Sequence, residues 1–179
     1  FYVNRGQGIA SFGIESKDKS ILEFQPANKA YQTTSLQGFR TFLKIRNGSQ
    51  TVFHEPFQLN GDKPAAQKML ITPYDLTLEE TFPSLGLVTR VHYFAVPEEP
   101  YAALIRRVSI QNISKRKYSL EIIDGLPVMI PYGSSDWLLK HMSRTLEAWI
   151  KVDNFKNRAP LYHLKVEVND RPATTRIHE

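Results

Sequence analysis

Apolar and polar residues alternate in short runs along most of the chain, and glycine, proline and asparagine separate the runs. Alternation with a period of two is the pattern of a half-buried β-strand. In the run 86–96, Val88, Arg90, His92 and Phe94 share one face, while Leu87, Thr89, Val91 and Tyr93 share the other, so His92 points to the more polar side. Phe39, Thr41, Leu43 and Ile45 alternate in the same way with Arg40, Phe42, Lys44 and Arg46. Asn47-Gly48 follows and predicts a type I′ hairpin turn, whose two central residues both need positive φ. "GIASFGI" (8–14) and "SILEFQ" (20–25) predict a second hairpin around the charged turn "ESKDK".

The stretch 54–68 carries prolines and a glycine and predicts a crossing between strands without a strand of its own. "MLITPYDLTLEETF" (69–82) reads as one run, joined to 86–96 through "PSLG". Leu104, Val108 and Ile110 lie on one strand face, and Tyr118, Leu120 and Ile122 repeat it, so 104–123 predicts an antiparallel meander with "KRK" (115–117) at a solvated hairpin tip. Leu146, Ala148, Ile150 and Val152 predict a core-facing strand row, with Thr145, Glu147, Trp149 and Lys151 opposite, and "LYHLKVEV" (161–168) predicts a last strand. A single helix is expected over Asp136–Arg144. Ser134 or Ser135 can cap it, Asp136 suits the positive end of its dipole, and Lys140, His141 and Arg144 suit the negative end. About nine or ten strands with one short helix near 136–144 predict an all-β fold, an antiparallel two-sheet sandwich.

Composition narrows the picture. A chain of 179 residues fits one domain over 1–179 and can bury roughly two-thirds of its unfolded surface. It has no cysteine, which excludes disulfides, thiolate metal sites and a thiol nucleophile. No apolar run approaches the roughly 18 residues of a membrane span, and no signal-peptide series opens the chain, so the expectation is a cytoplasmic protein with no membrane partner. Lys and Arg outnumber Asp and Glu by 23 to 18, for a formal charge of +5. The basic residues are scattered in short groups without a nucleic-acid motif, so no nucleic-acid partner is expected.

The motifs of common catalytic sites are missing: no G-x-S-x-G elbow, no Walker loop and no H-E-x-x-H occurs. "RGQGIASFG" reads as a turn into a strand, the wrong context for a phosphate loop. Glu79-Glu80 and Glu98-Glu99 are adjacent strand residues that point to opposite faces, and both pairs read as solvated surface acids. His92 has no second histidine at metal-ligand spacing. No catalytic residue and no metal site is therefore assigned. The aromatic residues around the predicted helix are more suggestive, because a flat ring can stack on the C–H face of a sugar while nearby polar groups bond its hydroxyls. Tyr132, Asp136, Trp137, His141 and Trp149 are the candidate substrate-binding residues.

The run His92–Val128, "HYFAVPEEPYAALIRRVSIQNISKRKYSLEIIDGLPV", resembles the amino-terminal β-sandwich of glycoside hydrolase family 94, the cellobiose phosphorylase family. "GIASFGIESKDKSILEFQPANKAYQ" looks like the opening strands of that domain. "IDGLPVMIPYG" and "HMSRTLEAWIKVDN" look closer to the branch of β-1,2-oligoglucan phosphorylases. The resemblance implies a supersandwich similar to galactose mutarotase and a longer parent enzyme, of which this is an excised or truncated amino-terminal part. Such a parent cleaves a β-glucosidic bond with inorganic phosphate as co-substrate, inverting the anomeric carbon. Its general acid lies on a catalytic (α/α)6 barrel that nothing here resembles, so the fragment is expected to be inactive. The implied partners are that barrel, an oligosaccharide and a second subunit in a homodimer. Two alternatives stay open at this point. One is an autonomous carbohydrate-binding module using Tyr132, Trp137 and Trp149. The other is a sugar epimerase, which needs a carboxylate beside His92, His141 or His163.

Overall fold

A computed structural model of the chain describes residues 2–3, 8–9, 16–19, 26–58, 66–101, 103–127, 135–142, 145–158 and 160–164. In chain order these form β1 (Tyr2–Val3), β2 (Gly8–Ile9), α1 (Ala27–Gln37), β3 (Arg40–Asn47), β4 (Gln50–His54), β5 (Ala66–Ile71) and β6 (Asp75–Phe82). There follow β7 (Leu87–Ala95), β8 (Leu104–Asn112), β9 (Ser119–Gly125), α2 (Asp136–Met142), α3 (Thr145–Trp149), β10 (Ile150–Asp153) and β11 (Leu161–Leu164).

Two antiparallel sheets, ordered β4-β3-β9 and β5-β6-β7-β8, build an all-β sandwich. Alternation sets their inner faces. Thr41, Leu43 and Ile45 on β3 are buried, as are Leu87, Thr89, Val91 and Tyr93 on β7, while His92 lies on the opposite face as expected. The core has two parts. Leu43, Ile45 and Leu87 pack with Leu85, Ile110, Tyr118 and Leu120, and Phe57, Leu76, Leu78, Val91 and Tyr93 pack with Phe39 and Val108. Contacts across the sandwich place β4 over β6, through His54 and Glu80. They place β3 and β9 over β8, through Thr41, Asp124 and Arg106.

Several local expectations are corrected. The β3–β4 loop is Gly48-Ser49, because Asn47 pairs with Gln50. Only Gly48 takes positive φ, at 60°, so the turn has the glycine-first pattern of type II′ in place of type I′. "MLITPYDLTLEETF" is two strands, β5 and β6. The turn between them is stapled by Thr72 Oγ1, which accepts the Tyr74 and Asp75 amides. Most consequentially, β8 and β9 do not pair with each other. β8 pairs with β7 and β9 with β3, so residues 113–118 cross from one sheet to the other and "KRK" is no hairpin tip.

α1 stands where opening-strand sequence was expected. Its buried positions among the described side chains are Ala30 and Thr34, one turn apart, which is not the apolar stripe that advertises an amphipathic helix. Thr34 Oγ1 donates to Ala30 O at 2.7 Å, and the Gly38 amide donates to Thr34 O at 2.9 Å to close the last turn. The predicted strand 145–152 is also corrected: Thr145–Trp149 is helical, and Ala148 and Val152 are exposed, so they form no core row. β10 instead pairs with β11 as a separate two-stranded unit. The predicted hairpin of 8–14 with 20–25 falls largely outside the described residues. Within them, β2 pairs with β1 and Lys17–Lys19 is a single 3₁₀ turn.

Candidate functional site

The residues predicted to bind substrate gather on α2 and at the end of α3, except Tyr132, which lies outside the described residues. The Ser135 hydroxyl accepts the Leu138 amide at 3.2 Å, the N-terminal cap anticipated from sequence. Asp136, the first helical residue, is buried and accepts Lys140 Nζ at 2.8 Å and Lys17 Nζ at 2.7 Å. The hydrogen bond from Lys140, then that from Lys17, holds its carboxyl below the usual carboxylate value. Asp136 thus anchors the helix to the 3₁₀ turn at 17–19, and its carboxylate is committed to two ammonium groups.

Trp137 points the other way and is 61% exposed. One face of its indole is stacked on the His141 imidazole, with centroids 4.5 Å apart and an interplanar angle of 19°. His141 is itself oriented by donating Nδ1–H to the Trp137 carbonyl at 2.8 Å. Residues four apart on a helix meet on one face, which produces this aromatic pair. Trp149, at the end of α3, is half-buried. The arrangement offers one broad exposed ring edge and face on a short, well-anchored helix, which can stack on apolar surface.

The sandwich interior holds polar constellations that the strand pattern did not assign. Glu80 corrects the reading of surface acids. Its side chain is 2% exposed, and it accepts three bonds: from the Phe57 amide at 2.5 Å, Gln67 Nε2 at 2.9 Å and His54 Nε2 at 2.9 Å. His54 is stacked on Phe82, with centroids 4.2 Å apart. These donors come from the end of β4, the turn after it and the start of β5, so one carboxylate ties down both sides of the connection between the sheets. Phe57 has φ of +69°, a costly conformation for a bulky residue that persists only where surroundings over-determine it. Its buried ring and the bond to Glu80 supply that constraint.

Arg106 is the second constellation. Its side chain is 6% exposed and meets Asp124 at 2.5 Å, Thr41 Oγ1 at 2.9 Å and Tyr93 Oη at 3.0 Å, so it pins β8 to β3 and β9. Both charged residues carry a legible signal in retrospect. Glu80 continues the row Leu76, Leu78, and Arg106 interrupts the row Leu104, Val108, Ile110; a charge at an apolar-face position requires a buried partner.

On the outer face of the four-stranded sheet His92 Nε2 meets Asp75 Oδ2 at 3.1 Å. Asp75 is held below the usual carboxylate value by the Thr72 hydroxyl and then by His92. A histidine and a carboxylate therefore do meet, as an epimerase reading requires, but on an outward sheet face. Glu80 and His54 meet inside, where the carboxylate is already occupied by three donors. No group of three or more His, Cys, Asp or Glu side chains able to hold a metal ion occurs among the described residues. No described helix is long and apolar enough to cross a membrane.

These features define the class of protein as a two-sheet antiparallel β-sandwich whose interior charges serve to join its sheets. No protein-family model matches the chain, and no curated protein matches it either.

Proposed function

We propose that this chain is the noncatalytic amino-terminal sandwich domain of a carbohydrate-active inverting phosphorylase that acts on β-glucan oligosaccharides. In this role it supplies scaffold and interdomain or subunit contacts, and its α2 region borders the sugar site carried by a catalytic (α/α)6 barrel. One observation carries the reading. Two charged residues of the family-like run, Arg106 of "LIRR" and Asp124 of "IDGLP", are spent on each other across the two sheets. Charges committed in this way support a scaffold, and among the described residues the buried acids Glu80 and Asp136 are likewise bonded to donors.

The test is phosphate-dependent cleavage. The parent enzyme is expected to release α-glucose 1-phosphate from β-glucan oligosaccharides, and the 179-residue chain is expected to release none. A parent inactive with phosphate, or an active fragment, overturns the proposal.

A second reading, an autonomous carbohydrate-binding module, is favoured by one feature, the exposure of Trp137. Calorimetry of the isolated chain with glucan oligosaccharides separates the two. Millimolar or tighter binding that is lost in Trp137→Ala supports the module, and silence supports the interdomain role.

A further inference from the structure

The crossover between the sheets carries Lys115, Arg116 and Lys117, all exposed. Its backbone is tied down along its length. Asn112 Oδ1 accepts the Ser114 amide at 2.9 Å and the Ser114 hydroxyl at 2.7 Å, while Asn112 Nδ2 donates to the Arg116 carbonyl at 2.7 Å. The Arg116 amide donates to Ser114 Oγ at 3.1 Å, and the Ile113 amide to the Gly86 carbonyl at 2.8 Å. Tyr118 closes the segment by donating its hydroxyl to the Leu85 carbonyl at 2.7 Å. A solvated tip has no need of such bracing. A surface that presents its charges in a set geometry gains from it, because little ordering entropy is left to lose on binding.

The charge around this loop is one-sided. None of Lys115, Arg116 and Lys117 forms an ion pair among the described residues; Arg116 reaches only the Ser84 carbonyl, at 3.3 Å. Arg40, Lys68, Arg90, Arg106, Lys140 and Lys151 each have a carboxylate partner; Lys29, Arg107, Lys156 and Arg158 also have none among the described residues, but only 115–117 puts three such cations in a row. Lys117 lies two residues before Ser119, the register partner of Arg46. The loop therefore continues into the outer face of the three-stranded sheet, where Lys44 and Arg46 share the single carboxylate of Glu121 at 3.1 and 2.6 Å. The loop and this adjoining edge carry five cations, of which Lys44 and Arg46 share one carboxylate, against a formal charge of +5 for the whole chain. Ile113, 56% exposed, adds an apolar contact beside them.

We propose that this braced basic loop, with Ile113 and the Arg46 edge of the sheet, is a docking surface for an acidic polypeptide segment. Charge complementarity selects the partner, and the shortness of the cluster favours a peptide over nucleic acid. A nucleic-acid tract is held by many phosphate contacts, with aromatic rings to stack its bases. Five cations are few for such a tract, and Phe53, exposed and the register partner of Lys44, is the ring on the sheet face beside them; a short single strand is therefore the competitor in the test. The inference is independent of the sugar reading.

The test uses fluorescein-labelled hexaglutamate and fluorescence anisotropy on the full chain, with a labelled hexathymidylate of similar charge in parallel. Hexaglutamate should bind, and Lys115→Glu/Lys117→Glu should weaken it by at least about tenfold with the melting temperature unchanged. Lys29→Glu/Lys156→Glu, an equal change of net charge at exposed positions on other elements, should leave binding within about twofold. No binding of hexaglutamate, or an equal loss in both double variants, overturns the proposal. Tighter binding of hexathymidylate than of hexaglutamate overturns it in favour of a nucleic-acid surface.

Discussion

Glu79 and Glu80 are neighbours with the same side chain, and the sandwich gives them opposite worth. Replacing Glu80 by alanine leaves three donors without their acceptor. The Phe57 amide is buried and has no other described partner for its proton, and an orphaned buried donor costs about 1–3 kcal/mol. The bonds from Gln67 and His54 end on a charged group and are each worth about 1.5–3 kcal/mol at most. Gln67 is exposed and recovers much of that by turning to water, while His54, 13% exposed and stacked on Phe82, recovers only part. The expected net loss is about 3–4 kcal/mol, to which release of the positive-φ Phe57 adds local loosening. Glu79→Ala removes partners of Arg90 and Lys68, which are exposed, and should cost no more than about 1 kcal/mol. Urea unfolding of the two variants measures the difference, and hydrogen exchange at the Phe57 and Gln67 amides locates it. A Glu80→Ala loss within about 0.5 kcal/mol of that for Glu79→Ala would refute the idea that this carboxylate joins the sheets.

Other variants test the remaining supports. Arg106→Met should destabilise by about 1–2 kcal/mol, because it removes the buried donor to the Tyr93 hydroxyl and Thr41 while Asp124, 35% exposed, turns to water, and a double-mutant cycle with Asp124→Ala should show coupling above about 0.5 kcal/mol; additive losses would mean that the pair does not pin the sheets. Gly86 has φ of +64°, and an added Cβ would lie 2.7 Å from Ser114 Cβ. Gly86→Ala should therefore cost about 2–4 kcal/mol in chemical denaturation, whereas Gly48→Ala, strained but open to solvent, should cost less. The Asp136 carboxyl is depressed below its ordinary value of 3.8 by Lys140 and Lys17. The stabilisation it brings is then full above the unfolded-chain value and disappears as pH falls below it through the native value. Stability of wild type minus Asp136→Asn, followed by urea unfolding from neutral pH into acid, should shrink over that window, and a constant difference would contradict the assignment.

The period of two was sufficient to place the inner faces of β3 and β7, because a strand that buries one face must put alternate residues there whatever its partner. The cap at Ser135 and the start of α2 were legible for a similar reason, since they depend on residues within one turn. Partner choice was not legible. β8 and β9 are adjacent in sequence and carry matching alternation, yet each pairs elsewhere, because the Ile113 amide and the Tyr118 hydroxyl tie the connection to the Gly86 and Leu85 carbonyls of the turn at 83–86. α1 stayed hidden because alanine and threonine fill its buried positions. Trp149 and Leu146 looked like opposite faces of a strand because five residues are too few to tell the helical period from the alternating one.

Local geometry and composition suffice for a strand-rich, cysteine-free chain and for the sides on which its apolar residues fall. Long-range packing makes Glu80 an interior acceptor while Glu79 stays on the outer face, ion-paired with Arg90 and Lys68; it also brings Arg106 to Asp124 and braces the basic run between two sheets. Each of those outcomes depends on groups brought together from distant parts of the chain. A charged side chain can be buried only where such partners replace the water that it loses.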